Sequence, residues 1–475
     1  MVFPKTKLTT IQAALDTCAA FDTVLVQPGV YYEKILWGSK NGIKLLSAGD
    51  SSNTEIDANS TGRVMEFRSA AIDTNTLIKG FTLRGGYLTG SLVVGAGILM
   101  TDASPKFEGV AIRNNELSAI NWAYGTGVYC DDSSPVFFKC SVSNNITTAS
   151  IWGYGGGMYI RGTGTPRLRD TRVENNSVTS STWNYGAGIY CLGQNLDLEN
   201  VCIVGNLAQP GMIYCYGTGL YLRDGTFNLT NVLIAGNTMP GGANYYYGSG
   251  ISSDGNGNAT LTLMNVTIAD NIRSDSGAVS GLSVSPGTTF TITNSILWNG
   301  NLGNEISGGS ANSTVTYSCI RNGYQGAGNI ALPPLFDTLN AYHLTATSPC
   351  AGSGTAAAAS FIDLDNNYRP NPAGTNPDMG CYEINQTSVG VTEAANGILN
   401  AVFPNPFNDN IYLNFNDVVP TAYITVMDIS GKKVIVKEMV NKDSFLLDTT
   451  ELASGIYLLE IIQENKITTV KLVKQ

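Results

Sequence analysis

Apolar residues recur two apart in short runs, and the runs themselves recur every 30 or 31 residues. Phe107/Val110/Ile112, Leu198/Val201/Ile203, Leu229/Val232/Ile234 and Leu263/Val266/Ile268 hold equivalent places in successive copies of a segment that ends on Asn. A second run follows Gly-x-Gly, as in GTGVYC from Gly125, with Val128 and Cys130 on one side and Tyr129 on the other. Such alternation is strand spacing. Two or three short strands per repeat, split by Gly and Asn turns, cannot enclose a core alone. Stacked coil on coil at about 4.8 Å they can. The pattern predicts an all-β chain built as a right-handed parallel β-helix, because left-handed solenoids use shorter, hexapeptide periods.

The turn positions agree with stacking. Asn115, Asn145, Asn176, Asn206, Asn237 and Asn271 fall at one turn of successive coils. There, amide side chains can exchange hydrogen bonds along the axis, and Asn tolerates a left-handed backbone. Asn200, Asn231, Asn265 and Asn294 form a second row. Both rows read as structural ladders. At the start, Thr10 precedes IQAALDTCAA, whose Ile11, Ala14, Leu15 and Cys18 share one helical face. This predicts an N-terminal helix capping the open edge of the first coil. TIQAALDTCAAFDTVLVQPGVYYEKI and IKGFTLRGG resemble the pectate-lyase-like superfamily of β-helix proteins, over about residues 8–330. The resemblance implies the fold rather than a particular activity.

The expected division is a β-helix with its cap over residues 1–330, a closing segment over 331–385, a polar linker over 386–397 and a last domain over 398–475. The last domain alternates as strands (IYLNF, YITVMD, KKVIVKE, GIYLLEI, ITTVKLV), which predicts a small β-sandwich. FPNPFNDNIYL from Phe403, MDISGKKV from Met427, LASGIYLLEI from Leu452 and the terminal KLVKQ resemble the type IX secretion sorting domain of Bacteroidetes. That resemblance implies passage through the outer membrane, followed by cleavage of the tag and release or attachment at the cell surface. MVFPKTKLTT lacks the apolar stretch of a signal peptide, so the leader of an exported protein is expected upstream of Met1.

Composition narrows the function. Charged residues are 13% of the chain, the net charge is −10, and no lysine occurs between Lys139 and Lys432. Nucleic acid is excluded as a partner, because neutralising phosphates needs clustered Lys and Arg. No apolar run reaches the length of a transmembrane helix. His343 is the only histidine and there is no CxxC, which removes zinc chemistry. Cys130, Cys140, Cys191, Cys202 and Cys215 fall inside repeats as small core fillers. Cys350 and Cys381 bracket a loop-rich stretch and are the expected disulfide. Asp363, Asp365 and Asp378, with Asn366, crowd oxygen ligands as a calcium loop would, although turn chemistry alone explains such residues among Pro and Gly.

Two surfaces are candidates for function. β-Helix enzymes that cut acidic polysaccharides need a strong base plus carboxylates. Arg169, Asp170 and Arg172, with Asp132 and Asp224 on neighbouring coils, are the best such set, but turn residues at strand ends are the simpler reading. The more distinctive feature is aromatic. A loop between each Asn turn and the next Gly-x-Gly carries Trp122, Trp152, Trp183, Tyr214 and Tyr245 in one column. Tyr124, Tyr154, Tyr185, Tyr216 and Tyr247 follow in the next, and Tyr129, Tyr159, Tyr190 and Tyr221 form a third. Either the rings form a platform on which sugars stack, or they pack on one another to seal the loops. The expectation is an exported or surface β-helix that binds glycan or a partner protein without turnover. A polysaccharide lyase or hydrolase and a purely structural stalk are the alternatives.

Overall fold

The computed structural model describes residues 9–209, 213–241, 245–253, 259–273, 281–300, 303–339, 341–384, 399–428, 431–463 and 466–474. The expected linker over 386–397 and the first residues of the chain lie outside these. Two compact units divide the chain: Met1–Asn367 with Asp378–Glu383, and Tyr368–Pro377 with Ile384–Gln475.

The first unit is a parallel β-solenoid of about eight turns. Successive coils build three parallel sheets, and the register carries one repeat onto the next. Ile98, Val128, Met158, Ile189 and Leu220 pair in succession on one sheet. Ile112, Val142, Val173, Ile203 and Ile234 pair on another. All are fully buried in one continuous core. Cys130, Cys140 and Cys191 belong to that core, whereas Cys202 and Cys215 do not; they lie in separate clusters outside it. The helix Ile11–Thr17 starts where Thr10 accepts the Ala13 N–H, and buries Ile11 and Leu15 over the first coil.

The first Asn row is a buried hydrogen-bond chain. Asn145 Nδ2 donates to Asn176 Oδ1 at 2.9 Å, and the Asn145 backbone N–H donates to the same oxygen at 3.1 Å. The left-handed backbone does not fall on these residues. It falls one place earlier, at Asn114, Asn144 and Asn175, where φ is 55°, 54° and 55°. The ladder explains the second glycine of Gly-x-Gly. A Cβ on Gly127 would meet the Gly157 carbonyl oxygen at 2.6 Å and Asn145 Nδ2 at 2.8 Å. The second row is different: Asn200, Asn231, Asn265 and Asn294 are themselves left-handed, with φ from 51° to 55°. Part of it anchors the closing segment. Asn294 Nδ2 donates to Thr355 O at 2.8 Å and its Oδ1 accepts the Thr355 N–H at 2.8 Å.

The aromatic loops are not loops. Each leaves the Asn turn as a short strand and returns as another: Ile146–Ala149 then Trp152–Tyr154, Ser177–Ser180 then Trp183–Tyr185. They enclose thin second cores of small residues, Leu117, Ala119, Ala123 and Ala149 in one, Val178, Ala187, Ala208 and Cys215 in the next.

The second unit is antiparallel and barrel-like. One sheet makes it, in which Asn410–Asp428, 19 residues long, pairs with Lys433–Asp448 along most of its length. The near half also takes Leu399–Phe403 and the far half Gly455–Gln463. Ile411, Leu413, Ile424, Val426, Leu459 and Leu472 form its core.

Candidate functional site

Strand register sets the aromatic columns, since parallel pairing places Trp122 beside Trp152, Trp152 beside Trp183 and Trp183 beside Tyr214. The indoles of Trp122, Trp152 and Trp183 stack with centroids 5.5 and 5.0 Å apart. Tyr214 meets Trp183 edge-on at 88°. In the next column Tyr124, Tyr154, Tyr185, Tyr216 and Tyr247 stack at 5.1, 4.9, 4.7 and 4.6 Å. Tyr129, Tyr159, Tyr190 and Tyr221 stack beneath them at 5.5, 4.9 and 4.8 Å. The two tyrosine columns interleave edge to face, as where Tyr154 meets Tyr190 at 80°. The backbone of Tyr245 continues the first column beside Tyr214, but its side chain lies outside the described residues.

This geometry changes what the columns can do. A sugar stacks on an open ring face. Here each inner ring has a neighbour on both faces, so it is the edges that reach outward. Burial divides the columns: Tyr159, Tyr190 and Tyr221 are nearly inaccessible, the three tryptophans are half-buried, and Tyr247 is exposed. Burial pushes the Tyr129 phenol up to about 12, with Asp131 adding to it, and raises Tyr159 and Tyr190 as well. The wall is therefore neutral. Leu92 pairs beside Trp122 and extends the tryptophan column by one coil, 53% exposed, and Ile120 of the same strand as Trp122 is 66% exposed. Neither shows in the aromatic pattern, although equal spacing from the Gly-x-Gly pairs Leu92 with Trp122.

The basic and acidic candidates separate. Asp132 sits in the turn after Val128–Asp131, its Oδ1 accepting the Thr163 N–H at 2.7 Å and the Thr163 hydroxyl at 2.9 Å. Asp224 lies in the equivalent turn after Leu220–Arg223, 3.4 Å from Arg223 Nε. Arg169, Asp170 and Arg172 stand on another sheet, on Arg167–Glu174. There Arg169 pairs with Glu199 at 3.1 Å, while Arg172 donates to Glu174 at 2.9 Å. The structure thus does not bring the five residues together. Instead Asp170 and Arg172 line a cleft of about 410 Å³ with Lys139, Asn200 and Cys202. Leu364, Asp365, Asn366 and Tyr382 of the closing segment form its other wall. Asp365 Oδ2 is 2.7 Å from His343 Nε2, and the His343 ring stacks on Tyr382 at 3.7 Å. Burial pushes the Cys202 thiol up to about 11 against the pull of Arg172, so it is no nucleophile near neutrality.

The three expected calcium ligands do not converge. Asp363 is fully buried and spends its oxygens on N–H donors: Asp365 at 2.9 Å, Asn367 at 2.7 Å and Glu383 at 2.8 Å. Asp378 Oδ1 accepts the Gly352 N–H at 2.7 Å, and Asp365 faces His343. Among the described residues no group of three His, Cys, Asp or Glu is placed to hold a metal ion. The expected Cys350–Cys381 bond is also absent. All nine cysteines are buried, and Cys381 packs with Cys202, Leu233 and Tyr382 on the outside of the solenoid wall.

In the C-terminal unit the FPNPF stretch pins the last strand. Asn405 Oδ1 accepts the Val473 N–H at 2.8 Å, and its Nδ2 donates to Lys471 O at 2.6 Å. Lys474 is buried and donates to Thr449 O at 3.1 Å. A family model described as a secretion system C-terminal sorting domain matches residues 401–475. The C-terminal unit carries a sorting domain. A type IX sorting domain implies a secreted or cell-surface protein, with the secretion machinery as a partner. The motif residues of this sorting domain thus hold its two ends together, Asn405 against Lys471 and Val473. No curated protein matches the chain. Among the described residues no helix is long and apolar enough to cross a membrane.

Proposed function

We propose that the protein is an exported β-solenoid that binds a glycan or a partner protein, without turnover, through the strip formed by Trp122, Trp152 and Trp183. One observation carries this reading. The half-buried tryptophan column continues into solvent-exposed Leu92 and Ile120, and contiguous exposed apolar surface on a soluble fold marks an interaction site. Because the inner ring faces are occupied, the ligand would meet a rigid comb of ring edges rather than a flat stacking platform.

A second reading has its own support. Lys139, Asp170, Arg172 and Asp365 share one cleft, and the likeness of the solenoid to the pectate-lyase-like superfamily suggests polysaccharide cleavage there. A glycan array run beside assays for new reducing ends and unsaturated products separates the two. The binding reading expects captured ligand and no product. Product formation abolished by Arg172→Ala would replace it with the enzymatic one.

A further inference from the structure

The second Asn row holds the closing segment largely by its main chain. Asn294 binds both the N–H and the C=O of Thr355. One coil nearer the N-terminus, Asn265 Oδ1 accepts the Ser360 N–H at 3.2 Å. On the next coil, Asn231 Nδ2 donates to Ile362 O at 2.5 Å and to Ser360 Oγ at 3.1 Å. The segment thus climbs the row coil by coil, then turns back where the Asp363 N–H donates to Asn367 O at 2.8 Å. The row itself continues. Strand register sets Asn200, Asp170 and Lys139 in line with Asn231 on the next three coils. Lys139 and Asp170 share its left-handed backbone, with φ of 52° and 49°. Side chains link the row upward, Asn231 Nδ2 to Asn200 Oδ1 at 3.0 Å and Asn200 Nδ2 to Asp170 Oδ1 at 3.1 Å. Among the described residues, the side chains of Asp170 and Lys139 hold no main-chain group.

We infer that the cleft beside Asp170 binds an extended peptide segment of a partner protein, one that carries an acidic side chain. The peptide would lie along Asn200, Asp170 and Lys139 as the closing segment lies along Asn294, Asn265 and Asn231. The cleft, about 410 Å³, begins where that segment turns, so Leu364, Asp365 and Asn366 form its end. Its polar groups suit a main chain. Asp170 Oδ1 is taken by Asn200, which leaves Oδ2 for a peptide N–H. Lys139 Nζ meets only the Phe138 ring, 5.1 Å from its centroid, and is open to a carbonyl or carboxylate oxygen. Arg172 gives Nε to Glu174 and keeps its two Nη groups for a carboxylate. An ionised Asp only accepts, whereas Lys and Arg only donate. Together they answer the N–H and C=O groups that every peptide unit carries. Main-chain bonds of this kind give affinity, and the paired cations select an acidic side chain. A uronic-acid chain would also use the two cations, but it would not extend the main-chain contacts that the same row makes below. The site is separate from the tryptophan strip, which stands on another sheet.

The test pans a phage-displayed library of random linear peptides on the full chain, after depletion on the Arg172→Ala chain, so that only ligands of the cleft are kept. The expected result is enrichment of peptides that contain Asp or Glu. A synthetic copy of the most enriched peptide should bind about tenfold more weakly to Arg172→Ala and to Lys139→Asn, each of which removes a charged donor. Asn keeps the left-handed backbone at position 139. Arg167→Ala removes the same charge from the same strand, outside the cleft, and should leave the affinity unmoved. No enrichment after depletion, or equal affinity for parent and Arg172→Ala, overturns the inference. Arg172-dependent binding of a uronic-acid oligomer in place of any peptide overturns it too, and assigns the cleft to an acidic glycan.

Discussion

Asn299 gives its backbone N–H to Glu305 Oε1 at 2.8 Å and its Nδ2 to Glu305 Oε2 at 2.7 Å, so a carboxylate stands where the next asparagine of the ladder would be. Every earlier Asn passes both donors to one amide oxygen of the following coil. Glu305 ends that chain and is paired in turn with Arg321 Nε at 2.9 Å. Burial holds the Glu305 carboxyl above its ordinary value of about 4.5, against the hydrogen bonds of Asn299 and Arg321. The folded chain therefore holds this proton more tightly than the unfolded one. The resulting stability is fully present below about pH 4.5 and is lost as the pH rises through the raised value. Glu305→Gln removes the titration. The melting temperature of the parent should fall relative to that of the variant as the pH rises above about 4.5, and parallel curves would refute the assignment.

Gly157→Ala tests the contact between glycine and ladder. Its Cβ would meet Gly188 O at 2.6 Å, Asn176 Nδ2 at 2.9 Å and Val173 Cγ1 at 2.9 Å. Backbone cannot step aside cheaply in a stacked coil, so the change should cost about 1–3 kcal/mol in urea unfolding. A neutral result would mean the coils can spread.

Tyr190 is the structural counterpart of the tryptophans. It is 4% exposed, stacked between Tyr159 and Tyr221, and met edge-on by Tyr154. Tyr190→Ala should cost about 3–5 kcal/mol of stability, as large-to-small core changes do. A loss under about 1 kcal/mol, measured by denaturant unfolding, would show that the columns are not a packed wall.

Much of this was legible in the residues because the repeat is physically redundant. Val128 and Cys130 alternate with Tyr129 in copy after copy, so the inward face, the register and the Asn row could be read directly. What periodicity could not show was how side chains of one column meet. It placed Trp152 and Trp183 at one position, but not ring planes lying face to face at 5.0 Å. Nor does local sequence report contacts across long separations. The spacing of Cys350 and Cys381 likewise says nothing of Cys202, Leu233 and Tyr382, with which Cys381 clusters. The crowded acidic stretch misled for a related reason, since Asp363 satisfies backbone donors rather than an ion. The cleft beside Asp170 and Arg172 needs the closing segment folded back against the solenoid, which no spacing encodes.

The sorting domain yields a prediction about place rather than stability. Each of the two units has its own buried core, so removal of residues 398–475 should leave a folded solenoid. That truncated chain should accumulate in the periplasm instead of reaching the surface or the medium. Fractionation with immunodetection checks this, and normal surface levels of the truncated chain would contradict it.

The central claim is that the tryptophan strip binds while the tyrosine wall beneath it supports. Its most direct test is ligand affinity beside unfolding free energy for Trp152→Ala and Trp183→Ala, using the ligand captured by the parent on the array. Half-buried hot-spot aromatics should lose about 1–3 kcal/mol of binding each. The account predicts that loss with a stability change clearly smaller than that of Tyr190→Ala. Unchanged affinity in both variants, with stability falling as far as in Tyr190→Ala, would contradict it.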